Sequence, residues 1–117
     1  MAAPNIVNVT TILGKTAVLA VTTTAAALVT NAAASNKVFK INSLYIANVD
    51  GVNSADITVD IFRSSTAYRL ASTVSIPGDS SLDILTKPIY LEEGDSLRVT
   101  ASANGDLEAI CSYEEIS

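Results

Sequence analysis

Apolar and polar residues alternate with a period of two along most of this 117-residue chain. The cleanest run is 55–62, where Ala55, Ile57, Val59 and Ile61 alternate with Asp56, Thr58, Asp60 and Phe62. Successive side chains of a strand point to opposite faces, so this run predicts a strand with one face in a core. Two further runs do the same near the C-terminal end. Leu97, Val99 and Ala101 alternate with Arg98, Thr100 and Ser102, and Leu107, Ala109, Cys111 and Tyr113 alternate with Glu108, Ile110, Ser112 and Glu114. Asn104-Gly105 lies between them. That dipeptide suits a type I′ turn, because both residues accept positive φ. The pattern therefore predicts a β-hairpin, preceded by a turn at Glu93-Gly94-Asp95.

The rest of the chain follows the same logic. Residues 6–12 alternate moderately and predict a strand ending in a turn at Leu13-Gly14-Lys15. Residues 37–49 predict a long strand whose apolar phase changes, with Phe39 and Ile41 before Asn42-Ser43 and Leu44 and Ile46 after it. The change predicts a bulge or bend at which the strand moves from one sheet to its partner. Asp50-Gly51 and Ser64-Ser65-Thr66 are turns. Tyr68, Leu70, Val74 and Ile76 form one apolar face that Pro77-Gly78-Asp79 terminates. Leu82 and Ile84 mark a further strand, and Pro88 fits a strand start.

Residues 16–36 carry no charge, and four readings compete there. The run is long enough for a transmembrane helix, but its Ala and Thr content is a poor substitute for Leu and Ile. A signal peptide needs a basic region before its apolar core, and the first base is Lys15. A short helix over 25–34 is open because Ala has the best helix propensity. Two strands, 16–22 and 26–30, fit the Val and Thr content best.

Eight or nine strands at roughly ten-residue spacing predict a single all-β domain over residues 1–117. Its expected form is an antiparallel β-sandwich, jelly-roll-like, with a short N-terminal arm over about residues 1–12. Cys111 is the one cysteine, so an intrachain disulfide is excluded, and its place on an apolar strand face predicts a buried thiol.

The net charge of −5 is local in origin. Residues 92–117 hold seven acids against Arg98, while residues 1–91 hold six bases against five acids. A basic stripe is missing, which argues against nucleic-acid binding. The acids Glu92, Glu93, Asp95, Glu108, Glu114 and Glu115 are expected on an outward or inter-subunit surface.

No catalytic constellation emerges. The sequence has no histidine, which removes the usual general base and zinc ligand. A Ser or Thr nucleophile would need an activating base, and only Lys and carboxylates remain. Glu92, Glu93 and Asp95 could suggest a glycosidase pair or a calcium site, but neighbours on a turn point in divergent directions. Asp50, Asn53 and Asp56 read as a capped polar turn. Tyr45, Tyr68, Tyr90 and Tyr113 could form a carbohydrate-stacking surface, though partial burial is the commoner fate. No catalytic, cofactor-binding or metal-binding residue is expected.

Three segments carry a family resemblance. They are Asn48-Val49-Asp50-Gly51 between the strands of 44–59, the Ile76-Pro77 to Ser80-Ser81-Leu82 step, and IYLEEGDSLRVTASA over 89–103. Across residues 36–117 the chain resembles the small β-sandwich virion proteins of tailed bacteriophages, especially those of cyanophages and other marine phages. The resemblance implies a non-enzymatic structural role in the virion, most readily capsid decoration or cementing, alternatively a collar or tail accessory position. It also implies assembly in the host cytoplasm, a homo-oligomer (a trimer favoured), and contacts with other virion proteins, with no cofactor, nucleic acid or membrane. The expected interface residues are Ile6, Val7 and Val9, as an arm that adds a strand to a neighbour, together with Glu108 and Glu114. The uncharged 16–36 run is a second candidate interface. A carbohydrate-binding module and a fragment of a secreted adhesin are the readings from other classes.

Overall fold

The computed structural model describes Asn5 and residues 8–117. Among these the chain forms nine strands and no helix: β1 (Ile12–Ala20), β2 (Ala26–Thr30), β3 (Val38–Asn48), β4 (Ala55–Arg63), β5 (Thr66–Ile76), β6 (Ser81–Asp83), β7 (Ile89–Leu91), β8 (Ser96–Ala101) and β9 (Leu107–Ile116). They make two antiparallel sheets. Sheet A has the order β1-β9-β3-β6, with β7 also paired to β3, and sheet B has the order β2-β8-β4-β5. The expected all-β sandwich is the fold.

The inward phases of both sheets meet in one core. Sheet A contributes Phe39, Ile41, Leu44, Ile46, Leu107, Ala109 and Cys111, and sheet B contributes Val29, Ala55, Ile57, Val59, Leu97 and Val99. Each fully buried Ile or Leu contributes about 1.5–3 kcal/mol. Tyr113 stacks on Phe39, with ring centroids 5.5 Å apart. The thiol of Cys111 is fully enclosed, and burial pushes it up to about 12. Two buried asparagines close the ends of the sandwich. Asn31 Nδ2 donates to the carbonyls of Lys37 and Leu91, and Asn48 Nδ2 to those of Asn53 and Ile76.

Several local expectations need correction. Leu13-Gly14-Lys15 is not a turn. All three residues lie inside β1, paired with Glu115, Glu114 and Tyr113 of β9. Gly14 has the freedom to turn, but nine continuous pairs to β9 hold the backbone extended. Residues 8–11 lie outside any strand. The Thr10 and Thr11 amides donate to the Ser117 carbonyl, so this part of the expected arm folds onto its own chain.

The helical alternative for 25–34 is not adopted, and β2 occupies 26–30 as the Val and Thr content predicted. A bulge does interrupt the β3–β9 register between Ile41 and Ser43, but β3 stays in sheet A. It pairs with β7 before the bulge and β6 after it, so the phase change resets the strand's face without moving it to the other sheet.

On β5 the presumed single apolar face is broken by two register shifts against β4. Ile76 is buried, while Tyr68 and Leu70 are exposed.

The largest correction concerns Asn104-Gly105. Strands β8 and β9 do not pair. β8 belongs to sheet B and β9 to sheet A, so the connection is an arch over the core rather than a hairpin. Gly105 has φ +84, as a left-handed turn residue would, but Asn104 keeps a negative φ, which excludes type I′. The two-residue hairpin lies elsewhere, at Ser64-Ser65 between β4 and β5, where both residues have positive φ (51 and 61) and Arg63 faces Thr66.

Candidate functional site

The acidic residues divide into two groups. Asp95 belongs to the first, and it is buried. Its carboxylate accepts from Arg63 Nε at 2.7 Å and Arg63 Nη2 at 2.5 Å, and from the Glu92 amide at 2.8 Å. Arg63 Nη2 also donates to Glu92 at 2.9 Å. The Arg63 guanidinium, more than the opposing burial, holds the Asp95 carboxyl below the ordinary carboxylate range. Of the six acids expected on the surface, Glu115 is the other buried one. It faces inward from β9, accepts from Lys15 Nζ at 2.8 Å, and also pairs with Lys37. Those two ammonium groups lower its pKa, Lys15 first. Asp95 and Glu115 are therefore internal ion pairs and not part of an outward acidic surface. Both stabilise the ends of strands that carry apolar side chains elsewhere.

Glu93, Glu114 and Glu108 make up the second group. Glu93 accepts from the Asn36 amide at 3.0 Å, and Glu114 from Asn42 Nδ2 at 3.1 Å. Glu108 is exposed. An open groove of about 280 Å³ is lined by Arg63, Ser64, Glu92, Glu93, Gly94 and Asp95. Its chemistry does not suit acid–base work. A general acid needs a raised pKa, whereas Asp95 is lowered by the arginine it shares with Glu92. Among the described residues no cluster of three or more His, Cys, Asp or Glu side chains is placed to hold a metal. Asp50 serves as a turn cap: its carboxylate accepts from the Val52 and Asn53 amides, and those bonds lower its pKa.

The outer face of sheet B is closed by polar contacts. Arg98 makes a two-bonded pair with Asp60 (2.8 and 3.2 Å) and lies over the Phe62 ring at 4.0 Å. The outer face of sheet A is different. Register places Val18 beside Ile110 and Ile110 beside Tyr45, a continuous apolar row across β1, β9 and β3. These side chains are 71%, 43% and 48% exposed. The next row toward the Leu107 end is Ala20, Glu108 and Ala47. An open groove of about 360 Å³ runs along Val18, Leu19, Ala20, Glu108, Ala109 and Ile110. This surface is the strongest candidate site in the molecule.

Of the residues singled out from sequence, Glu108 lies on this surface. Glu114 is on the same face but six residues along β9, about 20 Å away, opposite Gly14. Val9 is half-buried just before the contact of Thr10 with Ser117. Ile6 and Val7 lie outside the described residues. The four tyrosines do not form one platform. Tyr68 is on β5 of sheet B, Tyr113 stacks on Phe39 at the edge of the core, and on sheet A Tyr45 of β3 stands beside Asp83 and Ile110 while Tyr90 of β7 stands beside Lys40. Sequence reasoning placed Val18 in a candidate interface, the uncharged 16–36 run, but did not join it with Ile110 and Tyr45 in one apolar row. Its signal was an apolar residue in the outward phase, Ile110 between Glu108 and Ser112 and Tyr45 between Ser43 and Ala47.

No protein-family model matches this sequence, and no curated protein does. Among solved structures, the chain is similar to a subunit of Bacillus endospore appendages, described as a family of disulfide-linked pili. The similarity has 16% identity and a TM-score of 0.51, covering 90% of this chain and 87% of that one. What the likeness establishes is a shared sandwich fold.

Proposed function

We propose that this chain is a non-enzymatic structural subunit that works through contacts between copies, with a virion surface, as a capsid decoration or cement protein, as its place. The observation that carries the reading is the apolar row Val18, Ile110 and Tyr45 on the outside of sheet A. Three adjacent exposed apolar side chains on a small domain are what an interface supplies. The carboxylates that might serve chemistry are instead tied into ion pairs, which supports a surface role over a pocket role. Many copies acting together permit each contact to be modest.

A fibre subunit is the second reading, favoured by the pilus-forming protein whose fold is similar. That protein's family is described as disulfide-linked. Here the one cysteine is buried, so copies of this chain would associate without a disulfide through it. Light scattering over a range of concentrations, with electron microscopy of the same samples, tests both. Discrete rings or trimers support the decoration reading and filaments the fibre reading. Substituting Ile110→Asp should weaken either assembly at least about tenfold, since it places a charge in the apolar row. A chain that stays monomeric throughout, with Ile110→Asp indistinguishable from it, overturns the proposal.

A further inference from the structure

The two sheets have four edges, and three of them are blocked. The β6/β7 edge of sheet A is split into two three-residue strands with Pro88 between them. The β5 edge of sheet B carries two register shifts, Arg69, and Thr73 at φ +47. The β2 edge is five residues long with a shift between Ala27 and Val29. Short strands, bulges, prolines and charges are the devices by which proteins keep an edge from pairing with another chain.

Strand β1 lacks them. It runs nine residues in unbroken register with β9, contains no proline and no bulge, and, among the described residues, has no strand on its other side. Its one charge, Lys15, is in the inward phase and is drawn over β9 by Glu115 at 2.8 Å. It does not project across the edge as a guard would. Ile12, Leu13 and Val18 are all exposed large apolar residues on this strand.

We infer that β1 pairs antiparallel with β1 of a second copy about a two-fold axis at Thr16, joining two A sheets into one. The inference rests on the assembly reading above and adds a second contact, along the β1 edge, to the apolar row. Centring at Thr16 overlaps all nine residues. Leu13 then faces Leu19 of the other copy, Ile12 faces Ala20, and Gly14, which has open space where a Cβ would stand, faces Val18. Each pair lies on one face, since a two-fold axis through a residue preserves the phase. Centring one residue earlier would set Lys15 directly against Lys15, which like charges disfavour. The Thr16 register is therefore the self-complementary one.

Cysteine cross-linking tests it, because Cys111 is buried and does not compete. In Thr16→Cys the two thiols would lie directly opposite, with Cα atoms about 4.5–5.5 Å apart, within disulfide reach. In Ser112→Cys, one strand inward, the separation is about 14 Å and beyond reach. Mild oxidation should convert Thr16→Cys, and not Ser112→Cys, to a covalent dimer on non-reducing gels. Thr16→Asp, which opposes two carboxylates, should weaken association roughly fivefold or more. If the unsubstituted chain assembles, but Thr16→Cys does not cross-link and Thr16→Asp assembles equally well, the edge pairing is wrong and another surface makes the assembly. If the unsubstituted chain is monomeric at every concentration and Thr16→Cys does not cross-link, both readings fall.

Discussion

Asp95 shows how a residue can look like surface charge in sequence and be a structural ion pair in the fold. It follows Glu92, Glu93 and Gly94, a composition that reads as a solvated turn. Its carboxylate is instead enclosed by Arg63 from β4 and the Glu92 amide. The partner is 32 residues away in sequence, so no local pattern reveals it. Replacing Asp95 by Ala should destabilise the fold by about 2 kcal/mol, the range for hydrogen bonds to charged groups. Arg63 is half-exposed, so solvent and salt screen part of the attraction. Chemical denaturation of Asp95→Ala beside the unsubstituted chain measures this. A pH dependence follows as well. Asp95 and Glu115 both titrate lower in the folded state than in the unfolded chain. Between the two values the unfolded chain binds more protons, so acid favours it. Their stabilisation is complete above about pH 4, the ordinary carboxylate value, and is lost as pH falls through the lower folded values. Melting temperature should be flat from neutral pH down to that region and then fall. Asp95→Ala and Glu115→Gln should each flatten the acid limb.

At the scale of elements, alternation was legible and connectivity was not. The inward residues of β4, β8 and β9 are those that the period of two selects, because burial on one face is what alternation encodes. Turn chemistry encodes only a local reversal. Asn104-Gly105 supplies one, but whether the two strands then pair or go to opposite sheets depends on their other neighbours. Here β8 is taken by β2 and β4, and β9 by β1 and β3. The Asn104 side chain accepts from the Thr23 amide at 2.9 Å, tying the arch to the β1–β2 connection. The contrast with Ser64-Ser65 is testable. Both serines hold positive φ, which a residue with a Cβ resists by about 1–2 kcal/mol. Ser64→Asn with Ser65→Gly should therefore raise stability by about 1 kcal/mol. Gly105→Ala should lower it by a similar amount, since Gly105 is left-handed at φ +84. Thermal melts of the two variants should move in opposite directions. If both moved down, turn strain would not be the controlling term at the β4–β5 loop.

For the whole molecule, the order of strands in sequence is almost unrelated to their order in space. Among the described residues only β4 and β5 are sequential neighbours that pair. Strand β9 comes last in this sequence, yet it is central in sheet A, with β1 on one side and β3 on the other. It alone brings Leu107, Ala109 and Cys111 to the core and anchors Lys15 and Lys37 through Glu115. A sandwich closed by pairings so distant in sequence must meet the entropy of long loops before its contacts repay it, so folding is expected on the millisecond-to-second scale. It also makes β9 indispensable. Without it β1 loses its paired strand and β3 loses the neighbour along one edge, leaving Ile41 and Leu44 without flanking core side chains on that side. A chain ending at residue 106 should show no cooperative melting transition and should bind a hydrophobic dye. Cooperative melting of the chain ending at 106 would mean that sheet B and β3 form a core by themselves, and that sheet A is a later addition rather than half of the fold.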